Sequence, residues 1–188
     1  WEHPVGYILL DTLKNLKNKN LELIGYSNFS KKDNFNIKLK SHFNNWRVIE
    51  NKEDIEVVNQ IRKDKINILF DLSGHSAKNR LSVFINKPAP IQISWGGYPG
   101  FIGIPEIDYV IGDPYVTPKK ENKYFSEKVF LLPNIWMCFT VPEIEVKIKE
   151  LPAIENRYIT FGSFNNLSKI NEEVISLWSR ILKAVPKS

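Results

Sequence analysis

The sequence predicts an α/β fold built on a parallel sheet. Apolar runs of strand length alternate with amphipathic helical patterns along the 188 residues, and this alternation is typical of parallel sheets. The run "INILFDLSG" (66–74) is almost continuously apolar and ends in glycine, as strands buried on both faces do. The composition, 43% hydrophobic and 25% charged, is that of an ordinary globular protein.

The first half of the chain contains three predicted helices and two predicted strands. A helix from Pro4 to about Lys17 places Val5, Ile8, Leu9, Leu13 and Leu16 on one face. Residues 21–27 and 66–74 are predicted strands, and residues 54–63 form a helix with Ile55, Val58 and Ile61 inward. A short helix at 79–86 is stopped by the two prolines that follow it.

Strands are predicted next at 91–95, 107–112 and 128–133. The proline-flanked charged segment 141–156 interrupts the rhythm and is a candidate linker between a first domain (1–140) and a second one that begins at 157. A strand is predicted at 157–164, and a helix follows with Val174, Ile175, Trp178, Ile181, Leu182 and Val185 at helical spacing. The chain starts without Met and stops after this helix, so we expect a piece of a longer protein.

Composition and charge narrow the class of protein. The sequence contains no run of eighteen apolar residues, so no membrane span is predicted. The single cysteine fits a reducing compartment, which favours the cytoplasm. The net charge of +5 comes largely from Asn- and Lys-rich segments at 14–20 and 30–46, which we interpret as solvated faces and loops. Arg and aromatic residues do not alternate on one face, so a nucleic-acid partner is not favoured.

Three predicted strands end in unusual loops, and ligands of open α/β sheets bind beyond such ends. Four glycines fall between 96 and 103, three of them within the loop Trp95-Gly-Gly-Tyr98-Pro-Gly. Glycine allows backbone amides to approach a sugar or phosphate closely, although the same residues also make tight turns. The loop matches neither the dinucleotide fingerprint nor the P-loop.

Candidate polar residues lie at the same ends. Lys169 precedes the last helix, where a cation and helix amides form an anion site, but Glu172 and Glu173 already satisfy that helix dipole. His3 and His75 are candidate bases, because imidazole is the side chain most often used for proton transfer, and a structural role is the alternative for each. No spacing of His, Asp, Glu or Cys suggests a metal.

Four segments taken together resemble the protein O-GlcNAc transferases and their bacterial and plant relatives. They are "HPVGYILL" (3–10), the long stretch from "DLSGHSAKNR" through "KPAPIQISWGGYPG" to "IDY" (71–109), "YFSEKVFLLP" (124–133) and "FGSFNNLSKINEEV" (161–174). The order of the segments is that of the family, and the resemblance covers nearly the whole chain.

The resemblance implies a GT-B fold, with two Rossmann-like domains and the sugar nucleotide between them. Residues 1–140 then correspond to the first domain without its first strand, and 157–188 to the start of a truncated second domain. The implied reaction is inverting, metal-independent transfer of GlcNAc from UDP-GlcNAc to Ser or Thr of proteins, with no cofactor. Tetratricopeptide repeats are expected upstream, and this piece alone is expected to be inactive.

The resemblance also implies roles for individual residues. His3 matches an active-site histidine near the acceptor and sugar, and Lys169 matches a lysine that neutralises the diphosphate leaving group. The loop of Gly96, Gly97, Tyr98 and Pro99 lies where the backbone contacts the donor sugar.

Two positions depart from the pattern. Asn166 stands where the family has a glutamine near the diphosphate, and His75 stands where many relatives have Tyr. The Asn166 change leaves room for a non-catalytic sugar-nucleotide or protein-binding module. A same-family transferase with another UDP-sugar or an Asn acceptor is a second alternative, because related enzymes differ in both.

Overall fold

The computed structural model describes residues 3–16, 20–30, 33–98, 100–142 and 145–188. Its contacts divide the chain into two compact units, Trp1–Pro142 and Glu143–Ser188. The first unit holds the elements α1 (Pro4–Leu16), β1 (Ile24–Ser27), α2 (Asn34–Lys40), β2 (Asn45–Val48), α3 (Asp54–Lys63), β3 (Ile68–Asp71), α4 (Leu81–Ile85), β4 (Ile91–Ser94), β5 (Tyr109–Gly112) and β6 (Lys128–Leu131).

The strands of the first unit form two parallel sheets. One sheet pairs β1 with β2, and the other has the order β3-β4-β5-β6. The register joins Phe70 to Ile93 and Ser94 to Val110, so the carboxyl ends of β3, β4 and β5 meet at one edge. The predicted α/β class with a parallel sheet is therefore confirmed, and the predicted strands are present with shorter ends.

The core lies where α3 and α4 pack on the inner face of β3. Val57, Val58 and Ile61 of α3 are at most 2% exposed and pack with Leu81, Val83 and Phe84 of α4 and Leu69 of β3. The prediction that Ile55 points inward is wrong, because its side chain is 55% exposed and Val57 takes the buried position. A helix of ten residues presents only one stripe to the core, and here that stripe passes through 57, 58 and 61.

The segment 30–46 was interpreted as solvated faces and loops, but its described part is mostly regular structure, with Lys38 and Lys40 on an exposed face as expected. Helix α2 and the first half of β2 lie there. Asp33 caps α2 by accepting the backbone N–H of Asn36 at 2.7 Å. Leu39 is buried with α1, and Trp46 packs partly against the same cluster. Scattered lysines on the exposed side had masked this amphipathic pattern.

One face of the four-stranded sheet is only partly covered. Ile68 and Phe70 of β3, Ile91 of β4 and Phe130 of β6 are 39–56% exposed, while Leu69 and Val110 on the other face are buried. The apolar run at 66–74 predicted burial on both faces, and this is wrong for the described residues. The sequence is apolar on both faces, but the described helices α3 and α4 cover only one of them.

The second unit contains α5 (Pro152–Asn156), a 3₁₀ turn (Leu167–Lys169) and α6 (Glu172–Ala184). The strand predicted at 157–164 is wrong, since this segment is irregular and exposed. A strand needs a neighbouring strand to satisfy its backbone hydrogen bonds, and residues 145–188 contain no strand with which 157–164 could pair. The predicted final helix is confirmed, and its apolar residues Ile175, Trp178, Ile181 and Leu182 are 37–53% exposed.

Candidate active site

The candidate site is built from the loops that follow β3 and β4. Asp71 is the last residue of β3 and is 4% exposed. Its carboxylate accepts backbone N–H groups from Ser73 at 3.1 Å and Gly74 at 2.8 Å, and Ser94 Oγ lies 3.4 Å away. Burial raises the pKa of Asp71, and the bonds from these three donors partly oppose that rise. Asp71 thus fixes the turn that presents His75.

Two glycines allow this turn and the loop after β4 to pass each other closely. Gly74 has φ +52°, and a Cβ there would overlap the side chain of Tyr98. A Cβ on Gly97 would overlap the carbonyl oxygen of Leu72. The glycines therefore serve close packing of two backbone segments, in addition to any approach to a ligand.

His75 joins the turn to the segment beyond the glycine loop. Its Nε2 lies 2.8 Å from the carbonyl oxygen of Ile102. Because a carbonyl only accepts, Nε2 carries the proton and donates it in this bond. The imidazole also meets the ring of Tyr98 edge-on, with centroids 5.6 Å apart. His75 and Tyr98 are thus brought together, as candidate ligand-binding residues would be.

Glu127 completes the arrangement, and sequence reasoning had assigned it no role. It is 5% exposed, and its Oε1 accepts the backbone N–H groups of Ile102 and Gly103, both at 2.8 Å. Gly103 has φ +73°, so the chain turns sharply at this point. The sequence signal was the Glu in "YFSEK", directly before β6. Glutamate is almost never buried unless its carboxylate is paired, so a Glu at this position indicates a specific partner.

Arg80 ties the loops after β1 and β2 to the same edge. It donates to Asn28 Oδ1 at 3.2 Å, to the carbonyl of Ile49 at 3.3 Å and to that of Lys52 at 2.8 Å. Asn28 in turn donates to the carbonyl of Lys78 at 3.1 Å. The carboxyl ends of both sheets therefore face the same side of the first unit.

His3 lies at the start of α1, where its Nδ1 accepts the backbone N–H of Val5 at 3.3 Å. Helix α1 approaches the glycine loop through Ile8, whose Cγ2 lies 3.8 Å from the position of a Cβ on Gly96. Gly96 has φ +88° and is buried. The helix that carries His3 thus packs beside the glycine loop, and Pro99 lies outside the described residues.

The two candidate residues of the second unit are described within that unit alone. Asn166 Oδ1 accepts the N–H of Ser168 at 3.0 Å and so caps the 3₁₀ turn that ends at Lys169. Asn171 caps α6 by accepting the N–H of Val174 at 2.9 Å. Lys169 is exposed and stands three residues before the acidic first turn of α6.

The described residues contain neither a metal-binding cluster nor a membrane-spanning helix. No group of three or more His, Cys, Asp or Glu side chains is arranged to hold a metal ion in the described part of the chain. No helix in those residues is both long and apolar enough to cross a membrane.

A parallel α/β unit whose glycine-rich turns meet at the carboxyl edge of its sheet belongs to the class of open α/β proteins, which bind ligands at that edge. A structure of an O-GlcNAc transferase mutant from Thermobaculum terrenum is similar, with a TM-score of 0.85 and 31% identity. The match covers 98% of this chain and 35% of that one. It confirms the expected fold class, a Rossmann-like α/β region of a GT-B glycosyltransferase.

The sequence-family model of Glycosyl transferase family 41 matches residues 1–141, and the chain belongs to this family. A tomato (Solanum lycopersicum) protein named probable UDP-N-acetylglucosamine–peptide N-acetylglucosaminyltransferase SPINDLY is 37% identical over 190 residues. The match covers 99% of this chain and 20% of the tomato protein. The Arabidopsis thaliana protein with the same enzyme name and the designation SEC is 30% identical over 200 residues, with the same two shares. The chain thus spans about a fifth of the length of these curated relatives.

Proposed function

We propose that this chain is part of an enzyme that transfers GlcNAc from UDP-GlcNAc to Ser or Thr hydroxyls of proteins. The observation that carries the proposal is the arrangement at the carboxyl edge of the larger sheet, where Asp71 and Glu127 accept backbone N–H groups on either side of the contact between His75 and Tyr98. A preorganised surface of this kind binds a sugar without reorganising at the moment of reaction. The names of the relatives supply the donor and the acceptor class.

The proposed chemistry is a single displacement with inversion. The acceptor oxygen forms a bond to the anomeric carbon as the bond from that carbon to the UDP oxygen breaks, and the hydroxyl proton passes to a base. His3 is the proposed group nearest this proton, since its helix packs beside Gly96. Gly96, Gly97, Tyr98 and Pro99 are proposed to lie against the sugar.

Lys169 is the proposed group that stabilises the leaving diphosphate, and Asn166 is proposed to lie beside it. Negative charge grows on the diphosphate in the transition state, so a fixed ammonium stabilises that state more than the ground state. A cation supplied by the protein makes a metal ion unnecessary in this scheme. The hydrogen bond by which Asn166 caps the 3₁₀ turn supports a role in positioning Lys169, because Lys169 ends that turn.

The proposal extends to the surroundings of the enzyme. We infer a cytoplasmic location, supported by the exposed free thiol of Cys138, and upstream tetratricopeptide repeats that help to select acceptors. We also infer that residues 1–140 and 157–188 belong to two Rossmann-like domains joined by 141–156, in line with the two compact units.

The test is UDP release by the full-length protein, measured over a panel of UDP- and GDP-sugars with a Ser/Thr-rich acceptor. We expect acceptor-dependent release from UDP-GlcNAc, and a loss of at least about a hundredfold in kcat for Lys169→Ala. Lys183→Ala, at the other end of α6, is the matched control and keeps normal turnover. Donor binding without release from any sugar would instead support a non-catalytic module, and release from another sugar would revise the donor.

A further inference from the structure

A second concave surface lies at the carboxyl ends of β1 and β2, and the proposed chemistry does not use it. This groove has a volume of about 240 Å³. It is lined by residues of the loop after β1, of α2 and of β2, among them Ser27, Phe29, Ile37, Lys40, Trp46 and Val48. We call it the α2 groove.

Apolar side chains form part of the α2 groove, beside the polar Ser27, Ser30 and Asn36, and they are partly uncovered. Ile37 is 63% exposed and Val48 is 47% exposed. Trp46 is held in place, because its ring lies over Gly25, where a Cβ would overlap it, and meets Phe43 edge-on at 5.1 Å. A fixed aromatic wall beside two exposed aliphatic side chains suits an apolar side chain of a partner.

The charge at the rim of the α2 groove is positive. Lys40, in the last turn of α2, is the one charged residue among the described residues that line it. Asp33 stands at the opposite end of this helix, where Asn36 Nδ2 also donates to it at 3.1 Å. An acidic side chain beside the apolar one would therefore complement the groove.

The α2 groove is connected to the candidate active site. Phe29 lines the groove, and the ammonium of Lys78 lies 5.2 Å from the centroid of its ring. Lys78 follows His75 by three residues, so their Cα atoms are at most about 10 Å apart.

We propose that the α2 groove binds the acceptor polypeptide at a position that flanks the modified hydroxyl. It accepts an aliphatic or aromatic side chain between Ile37, Trp46 and Val48, with an adjacent Asp or Glu paired to Lys40. This inference rests on the proposed function, because it takes the acceptor to be a polypeptide.

The experiment uses the full-length protein, UDP-GlcNAc and a degenerate library of Ser/Thr peptides with all residues varied at flanking positions. The expected preference is an apolar residue next to an acidic one at a fixed distance from the modified residue. Lys40→Glu should shift that preference from acidic to basic neighbours by about five- to tenfold in kcat/KM. Val48→Asp should remove the apolar preference, while the donor KM stays unchanged in both variants.

Lys63→Glu is the matched control, since it reverses the charge of another exposed lysine in the last turn of a different helix. Turnover with an unaltered preference in Lys40→Glu overturns the inference. Peptide binding measured by fluorescence polarisation separates the two proposals. Selective binding that Lys40→Glu reverses, without turnover, supports the groove and counts against the proposed function, and absence of selective binding overturns the groove.

Discussion

Arg80 Nη2 lies 2.6 Å from Asp54 Oδ1, and this ion pair joins the start of α4 to the first turn of α3. The Arg80 side chain is 19% exposed and that of Asp54 is 38% exposed. Ser82 also donates to the carboxylate of Asp54. The same guanidinium reaches the loops after β1 and β2, so one side chain fixes three connections at the carboxyl edge.

We therefore expect Arg80→Leu to reduce the free energy of unfolding by about 2–4 kcal/mol, since it removes a donor to the carbonyls of Ile49 and Lys52 and the guanidinium that pairs with Asp54. Urea unfolding, followed by the fluorescence of the first unit, measures this loss. Arg62→Leu serves as the comparison, because Arg62 makes a single exposed bond to the carbonyl of Asn86 at 2.8 Å. A loss in Arg80→Leu no larger than that in Arg62→Leu would contradict the role assigned to Arg80.

Gly97→Ala should damage the site through the backbone. The new methyl group would overlap the carbonyl oxygen of Leu72, and two main-chain segments cannot separate without opening the turn. We expect a loss of about 2 kcal/mol or more in stability, and weaker UDP-GlcNAc binding by calorimetry. The control is Gly162→Ala, where the nearest atom lies 3.9 Å from the new Cβ. Equal behaviour of the two variants would show that the close approach at Gly97 is not required.

Asp64 predicts a particular dependence of stability on pH. Burial favours its protonated form, but hydrogen bonds from Arg47, Tyr26 and Gln60 outweigh this and hold the pKa of Asp64 below its ordinary value. A lowered folded pKa adds stability above the unfolded value of about 4, and that stability is lost as pH falls through the folded pKa. Asp64→Asn should thus cost most at pH 7.

The measurement is urea unfolding of both proteins between pH 2.5 and 7. The difference between Asp64→Asn and the unmodified protein should shrink steadily below about pH 4. Arg47→Gln should show the same narrowing, because it removes the other side of the pair at 3.0 Å. A difference that stays constant over this range would mean that Asp64 is not held as a carboxylate by these partners.

The repeating elements of the first unit could be predicted from the sequence, because strong apolar periodicity survives in α1, α3 and the strands of the larger sheet. The pair α2–β2 could not, since its apolar positions are few and lysines are scattered among them. The prediction of a strand at 157–164 was wrong, because the spacing of apolar residues and the composition do not show whether a second strand is present to pair with it. Periodicity describes one element at a time, whereas a strand exists only with its neighbour.

Much the same holds for the candidate site. The glycine loop and His75 were identified from their place after strands, and the structure joins them through Tyr98. Glu127 and Arg80 were missed as anchors because their partners are mostly backbone groups 24 to 31 residues away. A main-chain N–H or carbonyl has no sequence identity, so no residue pattern marks the position at which such a bond forms.

The bond between Glu127 and the backbone of Ile102 and Gly103 also sets an order of events during folding. Glu127 directly precedes β6, and it reaches these amides when β6 pairs with β5. During synthesis from the amino terminus, the glycine loop emerges with its strand before this latch exists. Its final shape therefore waits for the most carboxyl-terminal strand of the unit, so a nascent chain halted before residue 127 would hold every glycine of the loop and still lack a closed site.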